Sequence, residues 1–201
     1  DFLLVVPGIR PAGSALGESI NGVAGNDTLS GGAGNDNITG GAGANLLNGG
    51  DGSDQIYTDG TADTVDGGAG DDTVYVGYSD TATTLKTLHG GAGNDVMYIN
   101  AAKFDGTTGI VTFDGFEYVQ GTITGTTGAD QIDLSANLGT DGSLTLNGGD
   151  GGDKVAGSAL GETINGEGGN DTLDGGTGND QVSGGAGTNT LSGGDGNDTI
   201  Y

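Results

Sequence analysis

The sequence predicts an all-β fold, a parallel β-roll in which pairs of nine-residue repeats form the coils of a β-solenoid. Three observations predict it: a nine-residue period, one large apolar residue at the same place in each period, and 48 glycines among 201 residues. Glycine permits tight turns with positive φ, and an apolar residue at a fixed phase lets each coil bury a contact against its neighbours. We therefore expect short parallel strands separated by glycine-rich turns.

The repeats divide the chain into four parts. Uninterrupted nonapeptides occupy two blocks, and isolated copies lie between the blocks at residues 90–98 and 125–133. The apolar run at residues 2–6 is too short to span a bilayer and predicts a strand or a solenoid cap. The four parts are an N-terminal strand or cap (1–12), a first repeat block (13–75), an irregular β segment (76–138) and a second repeat block (139–201).

A longer period is superimposed on the short one. Residues 13–57 and 157–201 align without gaps at an offset of 144 residues, the length of sixteen nonapeptides. From this offset we expect the chain to be part of a longer repeated array.

Position eight of each nonapeptide, counted from its first residue, carries the residue expected in the core. Only positions seven to nine remain for a strand, so we expect three-residue strands whose central side chain points inward. The expected core residues are Ile20, Leu29, Ile38, Leu47, Ile56, Val65, Val74, Met97, Ile132, Val155, Ile164, Leu173, Val182, Leu191 and Ile200.

The charge of the chain limits its partners. Twenty-eight acidic residues stand against four basic ones, and the formal net charge is −24. Nucleic acids and anionic membrane surfaces are bound through Lys and Arg, so neither is an expected partner, and direct membrane insertion is not expected. The chain has no Cys, which excludes disulfides and zinc–thiolate sites. A compact state needs a cation to offset its negative charge.

Position six carries most of the candidate metal ligands. Stacking the coils at about 4.8 Å places every second turn on the same edge of the roll, and stacked carboxylates repel each other unless a cation lies between them. Oxygen-only donors in flexible loops favour several Ca²⁺ ions over Mg²⁺ or transition metals. The expected ladders are Glu18, Asp36, Asp54, Asp72 and Asp27, Asn45, Asp63 in the first block and Asp153, Asp171, Asn189 and Glu162, Asp180, Asp198 in the second, and the isolated copies add Asp95 and Asp130.

Several repeats have the form GGxGxDxUx, where U is a large apolar residue, and the best matches are at 31–39, 67–75, 90–98, 175–183 and 193–201. In this pattern the chain resembles the RTX (repeats-in-toxin) family of calcium-binding nonapeptide repeats. The resemblance implies that the position-six side chain and the carbonyls of positions two to four bind calcium. In the matching turns the carbonyl residues are Gly32, Ala33, Gly34, Gly50, Asp51, Gly52, Gly68, Ala69, Gly70, Gly91, Ala92, Gly93, Gly149, Asp150, Gly151, Gly176, Thr177, Gly178, Gly194, Asp195 and Gly196.

Several turns depart from this pattern. The two GSALGE turns have Glu at position six and Leu in place of a turn glycine, two turns have Asn at position six, and TDGTAD lacks the opening glycines. We expect these turns to bind calcium weakly or not at all. A single Asp in such a loop is more simply an Asx-turn residue that bonds its own backbone, and only the repetition at one phase favours a ligand role.

In residues 76–138 the nine-residue phase slips and aromatic residues gather. Alternating stretches at 109–113 and 116–120 predict longer strands and a larger apolar core. His89 has no partner in a metal-binding or nucleophile motif, so we assign it no chemistry. Tyrosines recur at position nine and are expected to face outward, either as a contact for sugars or proteins or simply because aromatic residues fit strands.

Two functions agree with the sequence. One is a calcium-binding structural domain of a secreted bacterial surface or extracellular protein, such as an S-layer subunit or adhesin, that folds and assembles on Ca²⁺ outside the cell. The other is the C-terminal accessory module of a secreted protease, lipase or polysaccharide epimerase. No active site is expected within the chain, because the acids recur at a fixed phase instead of converging in one cleft. The resemblance implies type I secretion, and other copies of the chain or a surface polysaccharide are candidate partners.

Overall fold

A computed structural model describes residues 2–4, 13–58, 62–77, 86–103, 111–135 and 138–201. Within these ranges the chain forms strands and turns, and no helix there is long and apolar enough to cross a membrane. The strands are β1 (Phe2–Leu4), β2 (Ser19–Asn21), β3 (Thr28–Ala33), β4 (Asn37–Thr39), β5 (Leu46–Asp51), β6 (Gln55–Thr58), β7 (Thr64–Ala69), β8 (Thr73–Val76), β9 (Lys86–Ala92), β10 (Val96–Lys103), β11 (Val111–Asp114), β12 (Phe116–Thr124), β13 (Gln131–Asp133), β14 (Leu138–Asp150), β15 (Lys154–Ala156), β16 (Glu162–Gly168), β17 (Thr172–Asp174), β18 (Gln181–Ser183), β19 (Thr190–Ser192) and β20 (Thr199–Ile200).

The strands form three parallel sheets that alternate along the chain. The long sheet has eleven strands in the order β1, β2, β4, β6, β8, β10, β12, β14, β16, β18 and β20. The two short sheets have the orders β11, β9, β7, β5, β3 and β13, β15, β17, β19. Each coil therefore contributes one strand to the long sheet and one to a short sheet, which is the predicted parallel β-roll. Because the long sheet runs through both repeat blocks, the blocks belong to one continuous roll.

Position eight stacks on itself through the roll. In the long sheet Ile20 pairs with Ile38, and Ile38 pairs with Ile56. The predicted core residues are buried, except that Leu191 is only partly buried and Ile200, in the last coil, is 50% exposed. One apolar side chain per strand thus fills the narrow interior of the repeat blocks.

The strands of the five-stranded sheet are longer than predicted. β3, β5 and β7 each contain six residues, because pairing continues from position seven into position three of the following turn. Gly32, for example, pairs with Gly50. The expectation of three-residue strands holds for β2 and β4 but is wrong here, since the turns stack in the same register as the strands and their backbone groups keep pairing.

The middle coils are wider than those of the repeat blocks. β10, β12 and β14 contain 8, 9 and 13 residues, which confirms the prediction of longer strands. The buried side chains there include the aromatic rings of Phe113 and Phe116 together with the aliphatic residues Ile99, Val119, Ile123 and Leu134. Residues 109 and 110, also expected in a strand, lie outside the described residues.

Candidate calcium ladders

A ladder of acidic side chains precedes the strands of the long sheet in the first block. Oδ1 of each Asp accepts a hydrogen bond from the backbone N–H of the position-six residue one coil earlier. Glu18 donates to Asp36 at 2.7 Å, Asp36 donates to Asp54 at 2.8 Å, and Asp54 donates to Asp72 at 2.8 Å. The predicted stacking of position six is therefore present, and it uses only one of the two carboxylate oxygens.

The other predicted ladders have the same geometry. The N–H···Oδ1 distances lie between 2.7 and 3.0 Å in all of them. Their members are Asp27, Asn45 and Asp63 on the opposite edge of the first block, Asp130, Asp153, Asp171 and Asn189 on one edge of the second block, and Glu162, Asp180 and Asp198 on its other edge.

The first ladder extends beyond the repeats. Asp72 N–H donates to Asp95 Oδ1 at 2.9 Å, and Asp95 N–H donates to Oε2 of Glu117 at 2.7 Å. Glu117 was not predicted as a site residue because it belongs to no nonapeptide, and only the pairing of β10 with β12 places it there. In the following coils Leu144 pairs with Glu162, so an apolar side chain separates the two ladders on this edge.

The second carboxylate oxygen is buried and without a hydrogen-bond partner in seven of the described turns. In each case Oδ1 serves the ladder and Oδ2 points into the turn. The seven residues are Asp36, Asp54, Asp72, Asp95, Asp153, Asp171 and Asp180, and each is at most 3% exposed. A buried carboxylate oxygen without a donor costs several kcal/mol unless a proton or a cation neutralises it.

Backbone oxygen atoms share the space in front of these carboxylates. A Cβ built on Gly148 would lie 2.5 Å from Oδ2 of Asp153 and 2.9 Å from the carbonyl oxygen of Gly166 in the next coil. Gly31 and Gly175, also at position one, face the same pair of oxygens. Position one must therefore be glycine in these three turns, and the space beside it is bordered by the oxygen donors that Ca²⁺ prefers.

Electrostatics within the ladders oppose ionisation. Burial raises the pKa of Asp72 to about 7, although the hydrogen bond from Asp54 N–H partly offsets this, and the neighbouring charges of Asp54 and Asp95 raise it further. Burial is also the main cause that raises the pKa of Asp36, Asp54, Asp95, Asp153 and Asp180. The stacked carboxylates are thus poorly solvated bases that favour a bound cation.

A second set of side chains, at position five, supports the turns from outside. Oδ1 of Asn35 accepts the N–H of Ser53 at 3.0 Å, and Oδ1 of Asn179 accepts the N–H of Asn197 at 2.9 Å. Asn26, Asp71 and Asn170 make the equivalent bond in their coils. Sequence reasoning missed this ladder, although the recurrence of Asn at position five, before the Asp of position six, was a visible signal.

The donor set fits calcium better than other metals. Within the described residues no group of three or more His, Cys, Asp or Glu side chains could hold a metal ion. A cation in these turns would take one carboxylate per turn together with backbone carbonyls, and such oxygen-rich, flexible sites suit Ca²⁺. The position-six carboxylates and the carbonyls of positions one to four are the residues that would hold it.

His89 and the position-nine tyrosines, which the sequence analysis singled out, lie outside the ladders. His89 Nδ1 lies 2.5 Å from Oδ1 of Asp114, and this hydrogen bond raises the pKa of His89.

On the outer face of the long sheet, Tyr57 and Tyr75 stack with ring centroids 4.7 Å apart, and Tyr75 and Tyr98 stack at 5.5 Å. The rings cover one another, so their faces are largely occupied by their neighbours.

Parallel coils joined by carboxylate-lined turns define a metal-binding β-roll. A profile of four copies of the RTX calcium-binding nonapeptide repeat matches more than half of the chain, at residues 13–47, 21–56, 39–74, 87–99, 157–191 and 165–200. The chain therefore belongs to the RTX calcium-binding repeat family, and this part of it is a calcium-binding structural domain of a kind typical of secreted proteins. A comparison with curated proteins finds no match.

Proposed function

We propose that this chain is a calcium-dependent structural segment of a secreted bacterial surface or extracellular protein, of the S-layer or adhesin type, which folds and assembles when calcium binds outside the cell. The observation that carries the proposal is the set of seven buried Oδ2 atoms without hydrogen-bond partners. These atoms make the calcium-free roll costly to form, so calcium binding supplies folding free energy.

The net charge of −24 strengthens this coupling. An unfolded chain keeps its carboxylates apart and hydrated, whereas the roll stacks them at the spacing of neighbouring strands. Where calcium is scarce, as in the cytosol, the chain stays unfolded and can be exported. Extracellular calcium sites commonly bind in the range of about 10⁻⁴ to 10⁻³ M, which suits folding after export, for example through a type I system.

The role is structural and not catalytic. The position-six acids are distributed along two edges of the roll at the repeat spacing, and ladder residues such as Asp54, Asp72 and Asp171 contact the backbone of the preceding coil. A pair of catalytic carboxylates would instead face each other across a cleft. Distributed sites of this kind stiffen a long structure and fit a surface protein, whose partners would be further copies of the chain or a surface polysaccharide.

Far-UV circular dichroism during a calcium titration of the chelated protein tests the proposal. We expect a cooperative coil-to-β transition with calcium and no such transition with magnesium at the same concentration, because Mg²⁺ keeps its waters and demands octahedral geometry. A β spectrum that chelation leaves unchanged would show that the apolar core alone sustains the fold and would reject the calcium switch.

A further inference from the structure

The turns of the roll include two classes, which differ in what faces the inner oxygen of position six. In the first class are the seven turns whose Asp Oδ2 has no partner. In the second class the atom at the same place is hydrogen-bonded within its own turn. The members of the second class are the turns that end in Asn45, Asn189, Glu18, Glu162 and Asp130.

The asparagine turns are closed by the side-chain amide. Nδ2 of Asn45 donates to the carbonyl oxygens of Gly41 at 3.0 Å and Gly43 at 3.4 Å, which are positions two and four of its own turn. Oδ1 of the same amide accepts the N–H of Asp27 at 2.9 Å. Since a backbone N–H can bond only to the oxygen, the ladder fixes the orientation of the amide and directs its NH₂ group at the carbonyls.

The amide nitrogen stands where an aspartate oxygen stands in the other class. A Cβ added to Gly40 would have Nδ2 of Asn45 as its nearest neighbour, whereas a Cβ added to Gly31 would meet Oδ2 of Asp36 first. An amide brings two protons to the turn carbonyls, and a carboxylate brings none. The Asp turn therefore gathers oxygens that need a cation, while the Asn turn supplies its own donors. Asn189 repeats the arrangement, with Nδ2 3.5 Å from the carbonyl oxygen of Gly185.

A hydroxyl residue at position two closes the remaining turns. The backbone N–H of Thr126 donates to Oδ2 of Asp130 at 2.5 Å, and its hydroxyl lies 3.3 Å from the same oxygen. In the two GSALGE turns the serine hydroxyl, Ser14 or Ser158, donates to Oε1 of the position-six glutamate, and the serine N–H lies 3.0 or 3.3 Å from Oε2. In a GGxGxD turn glycine takes this place, and it has no hydroxyl.

We propose that these five turns bind no calcium, because an internal N–H or O–H donor occupies the place that the cation takes in the seven turns whose Asp Oδ2 has no partner. The calcium content of the roll is then determined by two residues per turn, those at positions two and six. This inference rests on the proposed function, in which the fold depends on calcium, and it specifies which turns bind the calcium ions. The closed turns hold the coil together at intervals between calcium-filled turns.

Counting bound calcium by native mass spectrometry tests this assignment, with circular dichroism in saturating calcium to confirm folding. Asn45→Asp creates the turn GGAGAD and Thr126→Gly creates GGTGAD, and each is expected to bind one ion more than the unmodified chain. Asp54→Asn is the matched opposite change and is expected to bind one ion fewer.

The outcomes separate this inference from the proposed function. If Asn45→Asp and Thr126→Gly leave the count unchanged while Asp54→Asn lowers it by one, the closed turns already hold calcium and the inference is wrong, although the calcium switch stands. If the unmodified chain binds no calcium, both the inference and the proposed function are rejected.

Discussion

The first repeat block and the middle coils share one sheet but are stabilised differently. In the block each strand buries one aliphatic side chain, and the turns of Asp36, Asp54 and Asp72 stack carboxylates whose inner oxygens lack donors. In the middle coils the strands are longer and the interior contains Phe113, Phe116 and Ile123. A small core cannot compensate for the stacked charge without calcium, whereas a larger core reduces that need. This roll therefore replaces apolar burial with cation binding wherever the repeat is strict.

Core truncation in the two regions should give the largest effect. Phe116→Ala is expected to destabilise the roll by about 3–5 kcal/mol and Leu47→Ala by about 2–5 kcal/mol, because both side chains are fully buried. Leu47→Ala should also weaken calcium binding more than Phe116→Ala does, since the coil of Leu47 lies between two ladders and has the smaller core. Urea denaturation and calcium titration of both variants measure the two quantities. Equal losses of calcium affinity in both would remove the distinction between the regions.

Breaking single rungs of a ladder gives the next largest effect. Asp36→Ala removes a carboxylate that accepts the N–H of Glu18 and whose inner oxygen has no donor. Hydrogen bonds to charged groups contribute about 1.5–3 kcal/mol, so we expect calcium affinity to fall about tenfold or more. Asp27→Ala, on the edge that Asn45 interrupts, should lower calcium affinity less than Asp36→Ala does. Calcium-binding isotherms of the two variants decide the question, and equal small losses would contradict the ladder.

The dependence of stability on pH should have opposite signs with and without calcium. Burial raises the pKa of Asp72 to about 7 and raises that of Asp54 and Asp95, while Asp in an unfolded chain titrates near pH 4. Between about pH 4 and 7 the calcium-free fold therefore binds more protons than the unfolded chain, and its stability increases as the pH falls. In excess calcium, protons compete for the same carboxylates and stability decreases.

At several pH values between 4 and 7, far-UV circular dichroism measures the folded fraction of the chelated chain and thermal melting measures the stability of the calcium-bound chain. The unfolded chain provides the common reference, so the two series differ only in whether the ladders are filled. Parallel trends in the two series would show that the ladder carboxylates are not the groups that exchange protons for calcium.

The sequence predicted the architecture because the repeat is strict. A period of nine places position six above position six and position eight above position eight once two repeats form a coil, so ladders and core follow from spacing alone. Glu117 could not be predicted, since the coil that contains it departs from the period and only strand pairing shows its place. The six-residue strand β3 was missed because glycines that resemble a turn continue to pair between coils.

The details of each turn were less predictable for a different reason. The asparagine turns were expected to bind calcium poorly, but the sequence did not reveal that Nδ2 of Asn45 bonds the carbonyls of its own turn. The GSALGE turns show how burial changes one motif. Hydrogen bonds from Ser14 lower the pKa of Glu18, whereas burial raises the pKa of Glu162 to about 7 in an identical turn.

Hydrogen–deuterium exchange with and without calcium, resolved by peptide, tests the central claim most directly. In calcium, the amides that pair the coils should be protected in both repeat blocks and in the middle coils. After chelation we expect the blocks at 13–58 and 148–201 to lose protection before the middle coils at 111–124, because the middle coils also have the larger apolar core. Uniform loss over the whole roll, or retained protection in the blocks, would contradict the claim that cation binding replaces apolar burial in the strict repeats.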